Sequence, residues 1–303
     1  MKKKIAIALI ALASLAGCGE QDTGTRNTGD GSQEKDTAAV CIAVMPTLDC
    51  LPLFLASDHG LFANAGLDVS LLPLQAQMDC DTALLSGSAD GMVTDVVRAE
   101  RLQHQGVSLD YLTATQASWQ LLTGKTARIS RLNQLNDKMM AMTRYSATDL
   151  LGDMAVDSAG LNPETVFRIQ VNDVTVRLNM LQNNIMDALW LPEPQATAAR
   201  NLQARVLIDT RQLNLCFGVI AFRQHSLTDA QKQTFTNVYN QACDSLNQLG
   251  LAAFSDLIIS HCHVSQQVVD SLPSDIRFDH ATAPRQSDLE KVGKWLEKGG
   301  SNK

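Results

Sequence analysis

Three lysines, Lys2 to Lys4, precede an apolar run from Ile5 to Leu15, and the stretch from Gly19 to Ala39 then contains no Val, Ile, Leu, Met or aromatic residue. From Val40 onward, apolar clusters recur at short intervals. Val40–Met45, stopped by Pro46, reads as a buried strand. Leu51, Phe54, Leu55, Leu61 and Phe62 follow at helical spacing, with Gly60 marking a break. Leu67–Leu74 predicts a second strand, Asp81–Ser86 a short helix closed by Gly87, and Gly91–Val93 a third strand. A helix over Asp95–Gln105 and a strand over Val107–Thr113 complete this first series. The pattern restarts after Ala117. Strands are expected at Trp119–Thr123, Lys138–Thr143, Val166–Val171, Ile185–Leu191, Arg205–Ile208 and Leu215–Phe222. Helices fall between them: one opened by Ser146 with Asp149 and ended near Gly160, then Val174–Gln182 and Glu193–Asn201.

The remainder is helical. Thr228-Asp229-Ala230-Gln231 fits a capping box, and Phe235, Val238, Tyr239, Ala242, Leu246 and Leu249 form an apolar stripe behind it. Shorter helices are expected near 251–260, 265–272 and 286–297. Strand–helix alternation of this kind implies an α/β fold with mostly parallel sheets covered by helices. Residues 116–220 read as a second αβ unit inserted into a first unit made of 40–115 and 221–303.

Composition narrows the classes. The chain has 303 residues, 45% hydrophobic, 5% aromatic and 19% charged, with a formal net charge of −7. That length can hold two domains, and the apolar fraction excludes global disorder and collagen-like sequence. An acidic chain lacks the clustered cations that a nucleic-acid backbone requires, so no nucleic-acid partner is expected. The run Ile5–Leu15 is too short to span a bilayer, and a basic start before a short apolar core reads as an export signal. Leu15-Ala16-Gly17-Cys18 resembles the lipobox of bacterial lipoproteins, which implies a signal peptide over 1–17 and acylation of Cys18; an ordinary secretory signal cut near Ala16 is the alternative. Cleavage before Cys18 removes three lysines and no acid, which takes the formal charge from −7 to −10. Residues 18–39 then form a flexible tether, and the lipid holds the domain at a membrane surface.

Six further cysteines remain: Cys41, Cys50, Cys80, Cys216, Cys243 and Cys262. An exported compartment permits disulfides, and the layout suggests Cys50 with Cys80 and Cys243 with Cys262. No zinc-type spacing is present, and His261-Cys262-His263 makes a poor chelate because adjacent helical residues point apart, so no metal or other cofactor is expected.

A family resemblance is carried by five segments in order. These are PLFLASDHGLFANAGLDVSLLP (52–73), ALLSGSADGMVTD (83–95), DLLGDMAVDSAGLNPETV (149–166), IMDALWLPEPQATAA (185–199) and HSLTDAQKQTFTNVYNQACDSLN (225–247). Together they resemble extracytoplasmic substrate-binding proteins of ABC importers, in the branch for alkanesulfonate, taurine, nitrate and thiamine precursors. The resemblance implies a type II periplasmic-binding-protein fold. In it, two lobes with mixed sheets flanked by helices are joined by two hinge strands, with a small-molecule ligand clamped between them and an ABC permease as partner. A monomer is expected.

Open αβ sheets bind ligands beyond the C-terminal ends of their strands. That geometry nominates Thr47, Asp49, Gln77, Thr94 and Asp95 from the first unit, and Arg144, Ser146, Thr148, Trp190 and Glu193 from the second. Each has a structural alternative. Ser146, Thr148 and Asp95 suit helix caps, Thr47 and Thr94 suit turns, and Trp190 suits a core. Arg144 can grip an acidic group through two parallel hydrogen bonds, or pair with a nearby acid such as Asp149. The acidic nominees favour an amine-bearing ligand and Arg144 an anionic one; a zwitterion or a polar heterocycle satisfies both. The function expected is capture of a small polar nutrient without chemical turnover. The alternatives are a biosynthetic enzyme of the same fold, such as a pyrimidine synthase or a chorismate-dehydratase-like protein, and a ligand-sensing lipoprotein.

Overall fold

Apolar runs without polar alternation mark strands buried on both faces, and the central strands here are of that kind. The computed structural model describes residues 39–300; the expected signal peptide, Cys18 and the tether up to residue 38 lie outside the described residues. Strand β1 (Val40–Val44) sends Ile42 and Val44 to one apolar cluster and Ala43 to another on the opposite face. It leads through a 3₁₀ turn over Leu48–Cys50 into α1 (Leu51–Asp58) and α2 (Leu61–Asn64). Then come β2 (Val69–Pro73), α3 (Gln77–Ser86), β3 (Gly91–Asp95), α4 (Val96–His104) and β4 (Leu109–Ala114). The chain crosses into β5 (Trp119–Thr123) and continues through β6 (Lys138–Met142), α5 (Ala147–Ser158), β7 (Val166–Gln170), α6 (Val174–Gln182), β8 (Ala188–Pro192), α7 (Gln195–Asn201) and β9 (Arg205–Asp209). It returns as β10 (Gly218–Arg223), then runs through α8 (Asp229–Leu249), α9 (Ser255–Cys262), α10 (Gln266–Asp270) and α11 (Gln286–Glu297).

Two five-stranded mixed sheets result, in the orders β2-β1-β3-β10-β4 and β7-β6-β8-β5-β9. Both follow one plan. β1 runs parallel to β2 and β3 with β10 antiparallel beside them, and β6 runs parallel to β7 and β8 with β5 antiparallel beside them. The two-lobed α/β architecture with two hinge crossings is therefore present. The crossings are tied together: Thr115 N–H donates to Gly218 C=O (2.8 Å), and Trp119 and Thr210 exchange bonds of 2.9 and 3.0 Å. The expected strand Leu215–Phe222 begins only at Gly218, because Leu215–Phe217 form the crossing, and the strand joins the first sheet.

Three apolar clusters hold the lobes. Phe54, Phe222, Phe235 and Tyr239 lie where α1 and α8 cover one face of the first sheet. Leu122, Leu189 and Leu191 pack with α6 and α7 on one face of the second sheet. The third cluster is continuous through both lobes, from Val97 and Leu102 of α4 through Leu150 and Leu151 of α5 to Val292 and Trp295 of α11. Each fully buried side chain of this size contributes roughly 1.5–3 kcal/mol. Helix starts follow the sequence signals. The Thr228–Gln231 capping box forms, and Asp95, Ser146 and Asp173 cap α4, α5 and α6.

Neither suggested disulfide forms, since all six cysteines among the described residues are free. Cys50 and Cys80 cannot meet because the first sheet separates them: Cys50 packs with α1 and α8, and Cys80 in the cluster on the other face. Cys243 shares a cluster with Cys262, but its thiol is engaged with Tyr239. No helix among the described residues is long and apolar enough to cross a membrane.

Candidate ligand-binding cleft

The C-terminal ends of β1, β3, β6 and β8 face one another across the lobe junction, and the loops that follow them meet there. Leu48 N–H donates to Glu193 C=O (2.9 Å), and Gln195 Nε2 to Pro46 C=O (2.7 Å). Ala76 forms an isolated antiparallel bridge with Asp173. On the α4 side, Arg98 is held by Asp81 and donates through Nη1 to the carbonyl of Arg144 (3.2 Å), while Arg101 lies 4.2 Å from the Tyr145 ring centroid. Asp95 accepts from Arg98 N–H (3.1 Å), from Gln77 Nε2 (2.9 Å) and from the backbone of Ala147 in the other lobe. The lobes are thus closed on each other.

Two chambers lie within this junction and share Asp49, Ala117 and Pro192 as walls. The inner one, about 30 Å³, is lined in its polar part by Thr47, Asp49, Gln77 and Thr94 from the first lobe and Arg177 from the second. Arg177 stands on the buried face of α6 with Val174, Leu178 and Leu181. Its Nη1 donates to Trp190 C=O (2.6 Å) and its Nη2 to Thr143 Oγ1 (3.4 Å), whereas Nε has no hydrogen-bond partner. Among the described residues no carboxylate forms an ion pair with it. Burial pushes its pKa down to about 10, because a charged guanidinium is disfavoured away from water. Thr94 Oγ1, also buried, has no partner either. Across the chamber Asp49 accepts from Thr115 Oγ1 (3.3 Å), and burial pushes its carboxyl pKa up.

The outer chamber, about 440 Å³, runs along the hinge crossings, with Gln116, Glu193, Arg211, Asn214 and Arg285 among its walls. Most of its charges are matched. Arg211 pairs with Asp209 (2.8 Å), Arg285 with Asp288 (2.5 Å), and Glu193 with Arg200 (2.9 Å).

The structure brings Thr47, Asp49, Gln77 and Thr94 together on the inner chamber and places Glu193 on the outer one. The other nominees line neither chamber. Ser146 Oγ accepts from Thr148 N–H (3.1 Å) and donates to Thr143 C=O (2.7 Å), and Thr148 Oγ1 accepts from Thr143 N–H (3.0 Å), so both hydroxyls close the start of α5. Asp95 caps α4, Trp190 is fully buried in the core, and the Arg144 side chain is exposed. Glu193 accepts from Thr197 N–H (2.9 Å) and Oγ1 (2.7 Å), which accounts for α7 beginning at Gln195 rather than Glu193. Arg177 was not among the nominees. Its signal is a cation on an otherwise apolar i, i+3, i+4, i+7 stripe.

A family described as NMT1/THI5 like matches residues 47–246. No curated protein matches the chain. Solved structures with the same fold include the periplasmic aliphatic sulphonate binding protein SsuA of Escherichia coli, with 20% identity over 86% of this chain and 87% of that one and a TM-score of 0.70. The alkanesulfonate-binding protein SsuA of Xanthomonas axonopodis pv. citri, bound to MOPS, has 18% identity over 88% and 95% and a TM-score of 0.72. The periplasmic nitrate-binding protein NrtA of Synechocystis PCC 6803 has 14% identity over 88% and 83% and a TM-score of 0.72.

Proposed function

We propose, from the premise that the chain belongs to the NMT1/THI5-like family, that it is an extracytoplasmic solute-binding protein serving an ABC permease. It captures a small polar nutrient, such as a sulfonate or a thiamine-precursor pyrimidine, between its lobes and releases it to the transporter. The observation that carries this reading is the inner chamber. Two buried groups, Arg177 Nε and Thr94 Oγ1, line it without protein partners. Leaving buried polar groups unmatched costs about 1–3 kcal/mol each, which a bound solute recovers. Closure of two strand-end faces on a solute also converts binding into a shape that a permease can read.

The basic start, the short apolar run and Leu15-Ala16-Gly17-Cys18 support export and acylation at Cys18, with the polar stretch behind it as a tether and the folded part acting as a monomer at the membrane surface. The test is a thermal-shift screen of the protein against sulfonates, pyrimidines, amino acids and small inorganic anions. A ligand at a hundred times its Kd adds about 2.7 kcal/mol of stability. Cooperative unfolding with no shift from any compound in the panel would overturn the reading.

A further inference from the structure

The C-terminal segment, residues 250–300, returns to the first lobe and yet touches the second at two separate places. Phe254 and Phe278 join the first-lobe cluster that lies under α1 and α8. In α10, consecutive residues serve different lobes. Val269 enters that same cluster, whereas Val268 enters the second-lobe cluster with Leu122, Ala196 and Ala199. Asn201 of α7 closes this joint, donating through Nδ2 to Ser271 Oγ (3.2 Å) and to Gln267 C=O (3.4 Å).

Helix α11 makes the other joint. Its start is tied to the second hinge crossing, where Arg285 donates to Asn214 Oδ1 and to Asn214 C=O (2.8 Å each), and its body packs along α4 of the first lobe. Near its end, Trp295 is 9% exposed and shares an apolar cluster with Leu150 and Leu151 of α5; its Nε1 donates to Asp153 Oδ2 (2.6 Å). α7 and α5 cover opposite faces of the second sheet, since Leu189 and Leu191 of β8 face the α7 side and Ala188 and Trp190 the α5 side. The segment therefore grips the second lobe from both sides. Any movement that parts the lobes while the segment stays on the first breaks both joints. We infer that this segment is a strap that holds the lobes shut in the resting protein, before a solute is bound.

Buried apolar contacts and an indole bound to a carboxylate stabilise the closed arrangement whether or not the cleft is filled. Opening then begins with undocking of the strap, and the open fraction that results scales both the frequency of solute entry and the apparent affinity. The strap goes beyond the reading of the cleft as a solute site. It is tested without a solute, so its failure and the failure of that reading are separate outcomes.

The test is hydrogen exchange of the full chain without solute, resolved amide by amide with NMR. Two amides bridge the lobes and report opening: Leu48 N–H, which donates to Glu193 C=O, and Ala147 N–H, which donates to Asp95. The amides of Val238 and Ala242, buried in α8 of the first lobe, report global unfolding. In the parent, Leu48 and Ala147 are expected to exchange at least about a hundredfold more slowly than in an unstructured chain. Trp295→Phe keeps most of the ring and removes its N–H, and Val268→Ala trims the α10 joint. Each is expected to speed exchange at Leu48 and Ala147 by about tenfold or more. Gly91→Ala, a packing change inside the first lobe that is equally present with the lobes open or shut, is expected to speed Val238 and Ala242 while leaving Leu48 and Ala147 unchanged. The two strap variants strike separate joints, so misfolding of one leaves the other to decide. The inference is overturned if Leu48 and Ala147 exchange freely in the parent, if neither strap variant speeds them, or if Gly91→Ala speeds them as much.

Discussion

Gly91 offers a stringent check on how the first lobe is packed. It lies in β3 opposite Phe222 of β10, and the phenyl ring covers the position that a side chain would occupy. A Cβ built there stands 2.5 Å from Phe222 Cδ1, 2.6 Å from Cε1 and 2.9 Å from Cγ. Comfortable carbon contacts begin near about 3.5 Å, so Gly91→Ala requires the ring to retreat by about 1 Å. It has little room to do so, because Phe222 is 1% exposed and packs edge-on against Phe235 with ring centroids 5.5 Å apart. Overpacking of this kind costs about 1–3 kcal/mol, and a ring locked on both sides puts the cost near 3 kcal/mol. At roughly 2–4 °C per kcal/mol, the expected fall in Tm is about 6–12 °C. Differential scanning calorimetry reads it, with Gly124→Ala as a control whose new methyl meets Leu181 Cδ1 at an ordinary 3.6 Å. Adding Phe222→Leu to Gly91→Ala removes the clash, so the double variant is expected to be more stable than the sum of the two single losses by more than about 1 kcal/mol. A Gly91→Ala protein melting within about 2 °C of the parent would refute this account.

The same structure fixes two further expectations. Burial pushes the Asp95 pKa up to about 6, with Arg98 and three hydrogen bonds opposing the shift only in part, so the folded state holds this proton more firmly than the unfolded chain does. The stability attached to it is complete below the unfolded value near 4 and is lost as pH rises through about 6. The parent minus Asp95→Asn difference in urea unfolding should therefore decline between those values and then level off; a difference that is flat or climbs with pH contradicts it. Trp190 is fully buried, and Trp190→Ala is expected to lose about 3–5 kcal/mol in the same assay, a loss below about 1 kcal/mol arguing against a core role.

What could be read in the sequence was set by how local its cause is. β1, β8 and β10 were visible because residues on both faces of each strand are apolar; in β8, Ala188 and Trp190 enter one cluster while Leu189 and Leu191 enter another. The capping box at Thr228 was visible because both partners lie within one turn. The cysteine pairings failed because helix order does not reveal which face of a sheet each helix covers, and Cys50 and Cys80 sit on opposite faces. Strand ends did point to the neighbourhood of the cleft, and Thr47, Asp49, Gln77 and Thr94 converge there. The Arg144 side chain is carried outward by a loop whose next residue, Tyr145, has a positive φ of 53°, which residue type alone does not signal. Arg177 was hidden by the assumption that a residue on an apolar stripe serves the core.

The unpaired state of the cysteines has a wider consequence. Cys50, Cys80, Cys243 and Cys262 are buried, and burial pushes all four thiols upward, Cys80 and Cys243 to about 12. A protonated, inaccessible thiol is a poor nucleophile and a poor partner in exchange. Among the described residues, folding around these four thiols consequently needs no oxidant and offers a reductant little to undo. Glutathione-rich cytosol and an oxidising envelope should therefore give the same packing around Cys50, Cys80, Cys243 and Cys262, indifferent to the redox poise on either side of the membrane.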